Sequence, residues 1–269
     1  MDTSVRYSAL VDAKLRNDLV LKDGVIFNNR YEGDPKAGAV KVRKSGTATV
    51  SDYDKANGVA PTSGASEWIT VTIDKDKVVN EVIDGYEANA VPDGIVADRL
   101  DAAGYALAST LDVDGAKELA TSGTALTDTA VLTKTNIYTT FVDARTTLSK
   151  AGVPINSRYA VVSPDTYATA LKSPEFVEAS ELGDKVKATG ALGSIAGFAI
   201  YESANLGTGV EAVFGHPDYA ARIKEWSVPV HIQALDGSGK YVGASAVQGR
   251  YVYGHKVTDA GAVLVKKTA

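Results

Sequence analysis

Three histidines, His216, His231 and His255, carry the chemistry easiest to recognise, since an imidazole near neutral pH serves as a metal ligand or a general base. None stands at a spacing such as HExxH, which would set two ligands on one helix face, so each is expected to be structural or exposed. The run Asp112-Val113-Asp114-Gly115 has the look of a calcium loop. A loop starting at Thr110 would need an acid at its twelfth position, where Thr121 stands, so the run is expected to be a turn that ends a helix. No serine has glycine two residues before and after it, and Gly237-Ser238-Gly239 is not followed by glycine at 242. Gly190, Gly193 and Gly197 precede no GK[ST] and read as turns or close packing. There is no cysteine, hence no thiolate and no disulfide framework. No catalytic residue, metal or cofactor is expected. Were the chain an α/β enzyme, Asp165, His216 and His231 would be its candidates, but nothing in the sequence brings them together.

What remains is charge. After Asp34 and Pro35 the bases Lys36, Lys41, Arg43 and Lys44 occur with no acid until Asp52. From Asp74 to Glu118 the balance reverses, with eleven acids against Lys75, Lys77, Arg99 and Lys117. A basic segment and an acidic one attract each other, and both patterns also suit plain solvated faces.

The basic residues lie in a stretch from Asn28 to Ser66 that is rich in Gly, Ser, Thr, Lys and Ala. It has too little apolar surface to offset its ordering entropy, so it must be disordered or laid across another surface. A loop this long inside a domain is usually functional. Ile69, Val71 and Ile73 alternate with threonines as the return side of a β-hairpin whose outgoing side lies near Val40, Val42 and Val50. Lys77 to Tyr86 is open to two readings, since Val78, Val79, Val82, Ile83 and Tyr86 fit helical spacing while the β-branched VVNEVI suits a short strand, the preferred reading. Pro92 opens the longest helical pattern, over 93–113, with Val96, Leu100, Ala103, Leu107 and Leu111 on one stripe. Ile137, Phe141, Ala144 and Leu148 mark a second helix, with Thr135 or Asn136 placed to cap it and Gly152 past its end. Tyr159 to Val162 is a strand running into a helix start at Ser163-Pro164-Asp165. Strands at 198–202, 210–214, 227–235, 245–256 and 262–266, with a brief helix near Pro217 to Ala221, complete an α+β chain without internal repeats.

The 269 residues are 45% apolar and 23% charged, enough for one large core or two modest ones. The net charge of -5 argues against a general nucleic-acid binder. With no apolar signal region at the start and no 18-residue apolar run, a soluble intracellular product is expected.

A long polar hairpin near the N-terminus, an acidic spine helix and an α/β C-terminal half together resemble a tailed-bacteriophage major capsid protein of the Hong Kong 97-like fold. VVSPDTYATALKS resembles the strand-to-helix step of that family's axial domain, and GALGSIAGFAIYESANL its glycine-rich turn and Gly-Phe strand. FGHPDYAARIKEW and GRYVYGHKVTDAGAVLV are similar in the same way, so the resemblance covers roughly residues 20–267. It implies an N-terminal arm over 1–27, an extended loop over 28–68, a peripheral domain with the spine helix over 69–152, and a mainly axial domain over 153–269 whose last strands can return to the peripheral one.

The function implied is structural. The chain would self-assemble into hexamers and pentamers of an icosahedral head enclosing double-stranded DNA, in the virion after assembly in the host cytoplasm. Implied partners are other copies, scaffolding, portal and decoration proteins, and DNA contacted nonspecifically; no membrane and no cofactor is implied. An encapsulin-type compartment shell is the alternative with the same fold. Many members begin with a long helical scaffold region, whereas here about 20 residues precede the first strand. Some members cross-link through a lysine and an asparagine; nothing selects Lys36, Lys41 or Lys44, and no cross-link is expected. Set on this fold, the charge pattern assigns intersubunit contacts from Lys36, Lys41, Arg43 and Lys44 to acids such as Glu81, Asp84, Glu87 and Asp98.

Overall fold

Val40, Val42, Ile69 and Val71 build the first pair of strands. In the computed structural model, which describes residues 16–31, 38–45, 48–60, 66–90, 95–174, 193–236 and 239–268, β1 (Ala39–Ser45) pairs antiparallel with β2 (Ser66–Thr72). Residues opposite each other share a face. Val40, Val42 and Val71 therefore pack together on Tyr31 and Ile223, while Lys41, Arg43, Trp68 and Thr70 take the other side. Val50, expected on the outgoing strand, lies beyond the paired residues and is 93% exposed.

The β-branched run that follows forms β3 (Lys75–Ile83), then a short helix α1 (Gly85–Ala90). Helix α2 spans Ile95–Ser122, and here the expected stop near residue 113 is wrong. Asp112 is buried inside the helix, where its carboxylate accepts from Leu21 N at 2.9 Å and Asn205 Nδ2 at 2.8 Å. Gly115 is there because a Cβ would sit 2.9 Å from the Phe27 ring. An acid and a glycine that signal a turn by type are thus used for tertiary packing. Ala103, with Val96 and Leu100, meets Ile83 and Val247 in one core, and Ala116, Leu119 and Ala120 enter another with Val161, Val213 and Val265. One helix thereby joins both cores.

After β4 (Thr124–Ala125) comes α3 (Ile137–Lys150), with Ile137, Phe141, Ala144 and Leu148 all buried. Asn136 occupies its N-cap position without a side-chain cap bond; its oxygen instead accepts from Thr133 N at 2.6 Å. Then follow β5 (Tyr159–Val162) and α4 (Pro164–Leu171), whose Ser163 caps Thr166 N as expected. The remaining strands are β6 (Ser194–Ile195), β7 (Phe198–Glu202), β8 (Val210–Gly215), β9 (Ala220–Ala234), β10 (Ser245–Val257) and β11 (Leu264–Lys267). Gly190 lies outside the described residues.

A six-stranded sheet runs β4-β11-β8-β5-β7-β6 and a three-stranded sheet β3-β10-β9. Tyr-Ala-Val-Val of β5 is buried throughout because α3 and α4 cover one face of the larger sheet while α2 and residues 21–27 cover the other. β9 starts at 220, not 227. Its Pro229 sits where the register to β10 slips between Gln248 and Arg250, a bulge that accommodates the missing N–H.

Arg158 closes α3 from inside the core. Only 2% exposed, it donates from Nε to Pro154 O at 2.8 Å, from Nη2 to Val153 O at 2.6 Å, and from Nη1 to Arg145 O and Ser149 Oγ at 3.2 Å. Its charge rests on one carbonyl of α3, that of Arg145, and on those of Val153 and Pro154 just past the helix's C-terminal end, a position that favours a cation. Arg158→Met keeps volume but strands these acceptors, and should cost about 2–4 kcal/mol. The expected readout is a lower urea midpoint at unchanged slope; an unchanged midpoint would refute this role.

Candidate assembly surfaces

The hairpin of β1 and β2 has one face tied to its own chain and one face open. On the tied face Lys44 Nζ reaches Asp259 Oδ2 at 2.7 Å, and this bond raises the lysine's pKa. Its root is equally close: a Cβ on Gly254 of β10 would lie 2.2 Å from Thr72 O. On the open face Lys41 and Arg43 stand exposed beside Trp68, itself 59% exposed. The four bases read together from the sequence are therefore split: Lys44 is an intrachain anchor, Lys41 and Arg43 face outward, and Lys36 lies outside the described residues. Farther out, Asp54 organises a tight turn. Its backbone O accepts from Gly58 N at 2.8 Å, and its carboxylate accepts from Ala56 N and Asn57 Nδ2, each at 2.8 Å.

The acids do not form one surface. Glu81 pairs with Arg99 at 3.9 Å, Asp84 accepts from Tyr86 N at 2.9 Å, Glu87 lies in α1, and Asp98 lies in the first turn of α2. Glu81 and Lys77 face α2, the latter 3.9 Å from Asp114. By alternation the opposite face of the small sheet carries Asp76, Val78, Trp226, Val228 and Arg250. Arg250 donates to Asp76 from Nε at 2.7 Å and lies 5.4 Å over the Trp226 ring, with Val78 65% exposed beside it.

The three residues that an enzyme reading would need are apart. Asp165 lines a cavity of about 590 Å³ with Ser163, Thr166 and Glu211, whose carboxylate accepts from Leu132 N at 3.2 Å. His216 lines a separate groove with Asn28 and Asp218, where burial lowers its pKa and its Nδ1 accepts from Asp218 N at 3.2 Å. His231 is exposed on β9, bonded to Pro229 O. Among the described residues no cluster of three His, Asp or Glu could hold a metal, and no helix is long and apolar enough to cross a membrane.

A buried polar group went unread in the sequence. Residues 16–28 form a strap along α2, from Asn17 N on the Tyr105 hydroxyl at 2.8 Å to Phe27 against Gly115. At its far end Asp23 takes Arg222 Nη1 at 2.9 Å and Lys224 Nζ at 2.8 Å. Arg222, 4% exposed, lies 4.5 Å over the Phe27 ring and donates from Nε to His255 Nε2 at 2.9 Å. Burial first, then the Arg222 charge, pushes His255 down to about 3, so it serves as a neutral acceptor. Asp23, Arg222 and His255 have no local spacing in common, and only the fold assembles them.

The fold of this chain, a two-sheet body bridged by one helix with a hairpin beside it, has counterparts among solved phage structures, capsids among them. The chain is similar to a structure from Mycobacterium phage Che8 at 24% identity, covering 97% of this chain and 96% of that one with a TM-score of 0.82. It is similar to the capsid of the cyanophage P-SCSP1u at 16% identity, 98% and 92% coverage and a TM-score of 0.82. The capsid of Myoviridae phage XM1 matches at 14% identity, 99% and 97% coverage and a TM-score of 0.64. These likenesses define the class, a protein with the Hong Kong 97-like capsid fold. Comparison with curated protein sequences finds no match. The family model described as phage capsid protein matches residues 85–265, and the chain belongs to that family, whose role is structural.

Proposed function

We propose that copies of this chain form hexamers and pentamers that close an icosahedral head around double-stranded DNA, the hairpin arm of each copy lying on its neighbour. The residues 28–68 act as the extended loop. A peripheral part is built on β3, β9, β10 and the first half of α2, and an axial part on the six-stranded sheet with α3 and α4. Assembly takes place in the host cytoplasm, with scaffolding, portal and decoration proteins as further partners and the DNA contacted nonspecifically. One observation carries the reading: the arm spends Val42, Val71 and Lys44 on its own body and holds Lys41, Arg43 and Trp68 outward on a rigid root.

Acids of the neighbour, Glu81, Asp84, Glu87 and Asp98 among them, are the complementary charges. An exposed ion pair contributes about 0–1 kcal/mol and weakens with salt, so it sets orientation more than strength. Lys41→Glu combined with Arg43→Glu should leave folding intact, because both side chains are exposed. The expected result, read by light scattering, is slower and salt-sensitive shell formation. If the double variant forms shells of parental size at the parental rate, the basic face has no part in assembly.

A further inference from the structure

We propose that Asn57 is a spontaneous deamidation site whose rate is set by Asp54. Asn57–Gly58 is the sole Asn-Gly step in the chain, and a glycine nitrogen is the least hindered backbone nucleophile toward the preceding side-chain amide. In the reaction Gly58 N attacks Asn57 Cγ and the new C–N bond closes a succinimide ring. The Cγ–Nδ2 bond breaks, and Nδ2 leaves as ammonia with the proton given up by Gly58 N. Water then adds to either imide carbonyl and opens the ring to aspartate or isoaspartate at position 57, with no oxidant or reductant involved. Asn57 is exposed, so solvent reaches it.

The turn opposes this chemistry at both ends. The nucleophile, Gly58 N, is committed to Asp54 O at 2.8 Å, and the leaving group, Asn57 Nδ2, to Asp54 Oδ2 at 2.8 Å. The other carboxylate oxygen takes Ala56 N at 2.8 Å, which fixes the acid that does the holding. The Ala56 bond, followed by the Asn57 bond, lowers the Asp54 pKa, so the acceptor stays ionised at neutral pH. One residue thus restrains both reacting atoms. Each event that escapes the restraint adds a negative charge two residues from Lys55, and the isoaspartate product lengthens the backbone by a methylene. A changed docking of aged arms rests on the reading of the arm given above; the rates themselves do not.

The test incubates the folded full-length chain, the same chain in urea, and the variants Asp54→Ala and Gly58→Ala in mildly alkaline buffer. Peptide mass and enzymatic methylation of isoaspartate follow position 57. Asp54→Ala should raise the folded rate roughly tenfold, the kinetic equivalent of about 1.4 kcal/mol. Urea, which also frees Gly58 N from the backbone carbonyl at position 54, should raise the parental rate at least as far, and Gly58→Ala should suppress the reaction in both states. A folded Asp54→Ala rate equal to the parent's, a parental rate indifferent to urea, or a Gly58→Ala rate equal to the parent's would each overturn the proposal. Shell yield that stays constant while position 57 converts as expected would count against the arm reading alone.

Discussion

Replacing residues 46–65 with an Asn-Gly turn should leave a folded chain that no longer closes into shells. The join falls where pairing ends, at Ser45 opposite Ser66, and a two-residue turn matches the twist of the flanking strands. Among the described residues 48–60 every side chain except the half-buried Gly58 position is exposed, so removing these thirteen costs the free chain almost no burial. Val50, Tyr53 and Val59 are 93%, 75% and 46% exposed, and covering side chains of this size on a neighbour stabilises by about 1.5–3 kcal/mol each. That outweighs the ion pairs of the arm, worth about 0–1 kcal/mol apiece, so the tip should matter more than its charges. A cut beginning at residue 36 would confuse the result, because it removes buried Val42 and the Lys44–Asp259 anchor. The measurement pairs thermal melting with electron microscopy. An unchanged melt and no shells is the expected outcome, whereas normal shells from the truncated chain would end the arm hypothesis.

The second large effect is acid lability of the strap. His255 has its folded pKa depressed to about 3 against an ordinary value of 6.5. Between those values the unfolded chain binds a proton that the folded chain refuses, so stability falls as pH drops through the window and is fully present above it. Each unit corresponds to about 1.4 kcal/mol, which puts the loss across the window at several kcal/mol. Asp23 adds to it in the same direction. Its pKa is lowered by Lys224 and Arg222 against the opposing effect of burial, so its contribution disappears once pH falls through that lowered value. His255→Gln retains an oxygen for Arg222 Nε and removes the titration. Urea midpoints measured from neutral to acid pH should slope steeply in the parent and much less in this variant. Parallel slopes would show that His255 is not responsible.

Where burial followed local periodicity, the fold was legible: β5 and the serine-capped start of α4 fall where the residues say, and Ile137, Phe141, Ala144 and Leu148 are the buried face of α3. It failed where a residue's partner is distant. Asp112 and Gly115 read as a turn because their reasons for being helical, Leu21, Asn205 and Phe27, lie far off in sequence. The first residues of β9, Ala220 to Ile223, are buried throughout and show no alternation for a half-buried strand to announce. Of the arm charges, sequence could group Lys41, Arg43 and Lys44, but only strand register shows that Lys44 points the opposite way from the other two.

The strap also carries a message about timing. Its ion pair joins residues separated by 199 positions, and its backbone at Asn28 bonds β9 residues on both sides, Ala220 and Arg222. A chain emerging from the ribosome can therefore lay this segment along α2 early, but must leave Asp23 and Asn28 without these partners until β9 has been made. Contacts of such long sequence separation form late and slowly. The strap's far end and β9 are thus completed together, and a copy not yet synthesised past β9 lacks the finished body on which the arm's root is seated.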